Sequence, residues 1–509
     1  RHRLLLAAAA LALLVLGVVR AGELARHGFR PTAHGEERWF AWAWGQPQER
    51  ALVPNPFYVS QEDLPAGELV FLEVEAPGAR ESWLHVMAQY ALPGRTVVGA
   101  GPVGEEVDLP AEAVVLRLEA PERVLPAAPP GRRAKLGQLL ALAGGVGLVA
   151  AVGLLLAGPT AAPGWRGWLP RVPLSLPLGL SLAVPLSAVA ILAGSPATIG
   201  VPAALVASLI LALLSSRFRG HAAPLPSADD SAVRSTPAWH RLVDGLLVLF
   251  LALFAVHAAV APIWSWDHFA IWGVKARRIA AVGLGEQTFA GAGDAFAYAQ
   301  GQYPLGLPLA WLDLSLGTLP SGWLFRATHL LFGVALAGLV RQAARTLGAQ
   351  RPVASLAAAL AAASPLLWDT ESLGLAELPL ALWAVAAVVV GQERALARQG
   401  WPAGLLVGFL PWLKPEGWPL ALLLAVALGL ARRRRSGAAR WTAGFVTAAV
   451  ALAAASAVLS SRVPAAGLSF FAGDPLGRVA ARLTQTGELL AQLGAELADG
   501  AWLGGWLLF

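Results

Sequence analysis

The chain has 509 residues, of which 56% are hydrophobic and only 14% charged, and its mean hydropathy is +0.59. That balance excludes an ordinary soluble enzyme and fits repeated lipid-facing helices of about 20 apolar residues. The formal charge of +6 comes with arginines gathered at the ends of apolar runs, a membrane-protein bias and no nucleic-acid surface, and the absence of cysteine excludes disulfides and thiolate chemistry.

In chain order, residues 1–20 place basic residues before an apolar run. They read as an uncleaved N-terminal transmembrane helix; a signal peptide is the other reading, and either sends the next segment outward. Residues 21–133 hold charges, prolines and short alternating runs: ELVFLEVE (68–75), WLHVMAQY (83–90), 95–99 and AVVLRL (113–118), split by APG and LPG turn signals. The expectation is a small extracytoplasmic β-rich domain, a sandwich, suited to headgroup or sugar binding or to docking. Residues 134–216 carry accessory transmembrane helices, with apolar runs at 136–156, 174–193 and 201–214. A polar cytoplasmic linker follows at 217–240. Residues 241–509 form a larger transmembrane module, with runs at 242–262, 323–339, 353–367, 378–390, 402–412, 419–430 and 441–459. The final AWLGGWLLF reads as the start of a further helix, so the module is expected to be truncated there. The predicted fold class is a predominantly α-helical polytopic membrane protein with one small β-rich domain.

Counting crossings from a cytoplasmic Arg1 places Arg217, Arg219 and Arg234 inside, then Arg341, Arg345 and Arg351, then Arg394 and Arg398, then Arg432–Arg435. The count requires 303–319 to be interfacial or re-entrant. Arg132, Arg133 and Lys135 fall outside, against the statistical rule.

The same count delivers four charged groups to the outer face. WSWDHFAIWGVKARR (264–278) brings Asp267 and His268, then Lys275, Arg277 and Arg278. Phe269, Trp272, Ala276 and Ile279 recur at helical spacing and predict an apolar stripe on a helix lying along the membrane surface. The bland reading is an aromatic belt with a solvated acid. QYPLGLPLAWLD begins at Gln302 and offers Tyr303 for a sugar or phosphate, or is simply a broken helix. WDTESLGLAELPLALW (368–383) contributes Asp369, Glu371 and Glu377, although a Glu at a helix start is also an ordinary dipole partner. WLKPEGWPLAL (412–422) contributes Lys414 and Glu416, or a surface loop with a local ion pair. Charges at this depth need water or partners, so an aqueous recess at the outer leaflet is expected.

The order WDHFAIWGVKARR, QYPLGLPLAW, acidic loop before ELPLALW, and WLKPEG resembles the multi-spanning glycosyltransferases of the GT-C fold. These include protein mannosyltransferases, aminoarabinose transferases of lipid A and the bacterial ArnT/Rgt-like group. The likeness covers about 241–460. It implies an enzyme of the bacterial inner membrane, its active site facing the periplasm or cell exterior. Such an enzyme moves a sugar from a polyprenyl-phosphate donor to an extracytoplasmic glycan, lipid or protein acceptor, among membrane lipids and with no nucleic-acid partner.

By that resemblance Asp267 is the catalytic carboxylate and Asp369, Glu371 or Glu377 the second acid. Lys275, Arg277, Arg278 and Lys414 are donor-phosphate contacts. His268, Trp272, Tyr303 and Glu416 are sugar or acceptor contacts. The Trp-Asp-His of the first loop departs from the Asp-Glu pair of several relatives, and the segments before 241 lie outside the minimal core. Asp267 would deprotonate the acceptor hydroxyl while basic groups stabilise the leaving phosphate, with inversion. No obligatory cofactor is implied; a divalent cation is compatible with Asp267, His268 and Asp369, though no local ligand spacing is present. A transporter or flippase of lipid-linked glycans, or a noncatalytic envelope-assembly protein, are the alternatives.

Overall fold

A computed structural model of the chain describes residues 15, 69–74, 85, 89–90, 94–102, 114–118, 132–159, 168–217, 238–260, 267–285, 288–289, 303–320, 322–364, 367–368, 374–393, 399–433 and 437–463. The expected N-terminal helix and the segment after 463 lie almost wholly outside them.

Three strands are described before the membrane region: β1 (Leu69–Val74), β2 (Thr96–Pro102) and β3 (Val114–Leu118). They form one sheet in the order β2-β1-β3, both pairings parallel, with an irregularity between Val70 and Phe71. The expected sandwich is corrected by this: no distinct β-rich domain is formed among the described residues. The reason is topological. Parallel neighbours cannot be joined by a tight hairpin and need a crossover. Accordingly the described residues of WLHVMAQY, namely His85, Gln89 and Tyr90, are helical rather than extended. Gln89 ties this crossover to β2, its Nε2 donating to Arg95 O at 2.8 Å and its Oε1 accepting from Val97 N at 2.8 Å.

All ten apolar runs between 136 and 459 are helical. They correspond to α1 (Arg132–Ala157), α2 (Val172–Leu192), α3 (Ala197–Arg217), α4 (Ala238–Val260), α7 (Gly322–Thr346), α8 (Arg351–Ala363), α9 (Glu377–Gln392), α10 (Trp401–Leu413), α11 (Gly417–Arg432) and α12 (Ala438–Arg462). Two short helices intervene, α5 (Gly273–Val282) and α6 (Gly306–Leu314). Among the described residues, six helices are long and apolar enough to cross a membrane, and α8 to α11 are shorter apolar helices. The chain is therefore a predominantly α-helical, multi-pass membrane protein.

The short helices end for local reasons. Ser364 (ψ 125°) precedes Pro365 and Lys414 (ψ 152°) precedes Pro415, and a residue before proline is driven out of the helical region. The helix α8 thus ends at Ala363, inside the run 353–367.

Polar contacts sort the helix ends onto two faces. On one, Arg171 ion-pairs with Glu393, and its Nε donates to Gly158 O at 3.1 Å. Asp244 there accepts from Arg351 at 2.9 Å and from Ser355 at 2.6 Å, with Arg341 at 3.4 Å. Arg432 donates through Nε to Gly391 O at 3.0 Å and lies 5.7 Å from the Trp441 ring. The other face holds the ends of α9 and α10 that carry Glu377 and Lys414. This pairing of ends matches the alternation read from the arginine clusters. The helix α6 has nine residues and is buried throughout, in keeping with a segment that does not cross.

The packing between α10 and α12 depends on small residues. A Cβ on Gly404 would collide with Phe445 O, and one on Gly408 would lie 2.6 Å from Ala449 O. This G-x-x-x-G spacing lets two backbones approach closely. Gly408→Ile is expected to destabilise the protein by about 1–3 kcal/mol or more, as overpacking does. The midpoint of thermal unfolding in detergent measures it.

Candidate functional site

Asp267 precedes a π-helical turn, His268–Trp272, which leads into α5. Wide turns of this kind re-aim side chains and are frequent at functional sites. The apolar stripe expected to lie against the membrane is turned into the protein. Trp272, Ala276 and Ile279 are buried in the main core, so the stripe faces protein. The side chain of Phe269 lies outside the described residues.

Asp267 is half-buried. Burial pushes its carboxyl above the ordinary carboxylate range, the Glu377 charge pushes the same way, and Lys414 opposes both. Glu377 opens α9 and Lys414 closes α10, and the two form an ion pair. Glu416 Oε1 lies 3.8 Å from Lys414 Nζ. Burial works against the Lys414 ammonium, but the hydrogen bond and charge of Glu377, with Glu416 and Tyr303, outweigh it and raise its pKa. The Tyr303 phenol is raised by burial; Lys414 opposes, and Glu416, Asp267 and Glu377 add to the rise. Lys414 thus contacts Glu377 and lies near Glu416, and Asp267 and Tyr303 lie within the electrostatic reach of that group, although sequence had placed these residues on four separate segments.

The chain reversals that allow this need glycine. A Cβ on Gly306 would strike Trp412 O, and one on Gly417 would strike Leu410 O. The first lets α6 pass against the end of α10; the second lets the Lys414–Pro415–Glu416 turn close tightly.

Helix length adds a step in height. With Arg171 paired to Glu393, the start of α2 and the end of α9 are level. The 21 residues of α2 rise ~31 Å and the 16 residues of α9 rise ~24 Å. By axial rise alone, Glu377 stops ~7 Å short of the far end of α2.

The other three basic residues have different partners. Lys275 is fully buried and its Nζ donates to Tyr303 O at 2.8 Å; burial pushes its amine down to about 7. Arg277 donates through Nε to Tyr90 O and through Nη1 to Pro320 O, each at 2.7 Å, and lies 4.8 Å from the Tyr90 ring centre. Arg278 donates to Thr288 O at 3.1 Å, Arg95 O at 3.0 Å and Thr96 Oγ1 at 3.3 Å. These bonds join α5 to the crossover and the start of β2. Trp272 meets Tyr303 edge-on at 5.2 Å. His268 is fully buried among Phe325 (4.6 Å), Trp311 (5.6 Å) and Tyr90 (5.8 Å); burial above all, then the charge of His329, pushes its imidazole down to about 3.

Asp369 and Glu371 lie outside the described residues. Among those described, no group of three or more His, Asp or Glu residues is arranged to hold a metal ion.

Three buried groups were missed from sequence. His257 and His329 both face backbone carbonyls near the acidic segment. Asp313 on α6 accepts from Ser187 Oγ at 2.5 Å inside the bundle. Each is a lone polar residue in an apolar run, and no local pattern distinguishes it.

No family model, no curated protein and no solved structure matches this chain.

Proposed function

We propose that this chain is a membrane glycosyltransferase of the GT-C kind. In this reading it transfers a sugar from a polyprenyl-phosphate donor to a lipid, glycan or protein acceptor at the outer face of a bacterial cytoplasmic membrane. The observation that carries the reading is that Asp267 and Tyr303 lie within electrostatic reach of the Glu377–Lys414 ion pair, with Glu416 near Lys414. An acceptor hydroxyl needs a carboxylate within hydrogen-bond reach, and a departing phosphate needs a cation. Asp267 is the base and Lys414 the phosphate-side cation. Glu377 and Glu416 orient Lys414 and contact sugar or acceptor. Lys275, Arg277 and Arg278 serve the phosphate side by fixing α5, and Tyr303, Trp272 and His268 shape the wall beside Asp267.

The direct test is mass analysis of lipid extracted from the purified protein, followed by a transfer assay with that lipid. A copurified polyprenyl-phosphate sugar that is consumed on adding acceptor supports the proposal. A lipid-linked glycan bound but never transferred points to a carrier instead.

The orientation has its own test, helped by the absence of native cysteine. Glu416→Cys, at a side chain 61% exposed, is expected to react with an impermeant maleimide on intact cells. Arg345→Cys, exposed at the opposite end of α7, is expected to react only after lysis. The reverse pattern inverts the topology.

A further inference from the structure

Three buried histidines from three elements converge on the short stretch that precedes Glu377. His257, in the last turn of α4, places Nε2 3.2 Å from Trp368 O, with its ring 5.3 Å from the Trp368 ring. His329, in α7, places Nε2 3.1 Å from Leu375 O. His268 interacts with the backbone at Gly374. Trp368 is itself tied back, its Nε1 donating to Ala362 O at 2.7 Å. Both described flanks of 369–373 are thus held by imidazoles, and the second flank runs directly into Glu377.

The chemistry at His329 is specific. Its Nδ1 lies 3.1 Å from Phe325 O and its Nε2 the same distance from Leu375 O. Carbonyl oxygens only accept, and a neutral imidazole donates from one nitrogen. Phe325 O is the i−4 carbonyl of His329 and is the natural acceptor for its helical N–H. The proton is therefore worth more on Nε2, where Leu375 O can take it. A phenyl ring of similar shape fills the space and makes no such bond.

Space for the third histidine is also built in. A Cβ on Gly273 would come 2.7 Å from His268 Nε2 and 2.8 Å from Tyr90. Glycine at that place lets the imidazole fold beneath the turn that begins at Asp267.

We propose that His257 and His329 are positioning residues that grip the two flanks of 369–373, with His268 packed beneath the turn that follows Asp267, and so fix Glu377 against Lys414. The claim rests on the reading of that cluster as the reaction centre, but its test does not.

The chain contains no cysteine, so an introduced pair is the only one that can form a disulfide. The protein carrying Glu377→Cys and Lys414→Cys, whose native side chains are in contact, is oxidised and its cross-linking rate measured. A second pair, Asp244→Cys with Arg351→Cys at the opposite face, reports the fold. Adding His329→Phe is expected to slow the first pair about tenfold, the equivalent of one lost buried hydrogen bond, and to leave the second unchanged. His329→Gln, which keeps a donor, is expected to restore most of the rate. In the cysteine-free protein, His329→Phe is expected to lower kcat for sugar transfer with KM for the donor little changed.

An unchanged rate for the first pair in His329→Phe overturns the proposal. If that variant also loses the second pair, the fold has failed. His329→Asn, polar but too short to span to Leu375, then replaces it with the same two outcomes. Cross-linking that responds to His329 while no variant, nor the parent, transfers sugar upholds the positioning role and removes the transferase reading.

Discussion

Asp267→Asn is expected to abolish sugar transfer, by about two to four orders of magnitude in kcat, because a positioned base contributes that much. Donor binding and the fold should survive, since the amide has the shape of the acid. The pH dependence has a defined sign. The carboxyl is raised above its ordinary value of 3.8, first by burial and then by Glu377. The acid limb of kcat/KM therefore lies above the range of an ordinary aspartate, and activity falls as pH drops through it. Removing the Glu377 charge with Glu377→Gln should move that limb to lower pH.

Stability moves the other way. A carboxyl raised in the folded state binds its proton more tightly there than in the unfolded chain. The stability it lends is complete below the unfolded value and is lost as pH rises through the folded one. At neutral pH the Asn variant, which never ionises, is expected to melt at a higher temperature than the parent. Full transfer by Asp267→Asn in a purified assay would remove Asp267 from the mechanism.

Arg171→Met is expected to be the most damaging single change outside the site, at about 3–5 kcal/mol. The Arg171 side chain is 1% exposed and its ion-pair partner Glu393 20%. Removing the cation leaves a carboxylate in a poorly solvated place, where Gln342 Nε2 at 3.4 Å is a weak substitute. The pair also latches the start of α2 to the end of α9, so its loss is expected to loosen the packing between them. Arg171→Met combined with Glu393→Leu should recover most of the stability, because replacing both charges by apolar groups leaves neither unpaired. Thermal inactivation of all three variants in one detergent decides this. A double variant as unstable as the single one would mean the arginine acts through packing or through its bond to Gly158 O.

The membrane bundle was legible because its cause is local. Each apolar run carries its own reason to be helical in lipid, and all ten runs between 136 and 459 are helices. Helix ends were read less well: the run 353–367 was carried past Pro365, although that proline drives Ser364 out of the helical region and ends α8 at Ala363. WLHVMAQY was read as a strand from its alternation, but the parallel pairing of β1 and β2 decides that it must cross over. The stripe of Trp272, Ala276 and Ile279 is buried, but so are Gly273, Val274, Lys275 and Arg278, so the helix is enclosed rather than one-sided. Which side met lipid was not in the sequence, because α5 is pulled inward by Lys275, Arg277 and Arg278. Lys414 and Glu377 were each singled out, yet their contact across 37 positions depends on the packing of α9 against α10. His257 and His329 gave no signal at all, since their partners are backbone carbonyls 111 and 46 residues away.

The brevity of α8, α9, α10 and α11 bears on the surrounding lipid. At 13 to 16 residues each, they rise ~20–24 Å, less than the ~30 Å of a typical hydrocarbon core. A bilayer adapts to short spans by thinning beside them. The leaflet on the Lys414 side would then dip toward Lys414, carrying headgroups down to the carboxylates rather than requiring the carboxylates to reach up. Acyl-chain length in the host membrane would then set how close headgroups come to this cluster, because thick bilayers resist that dip.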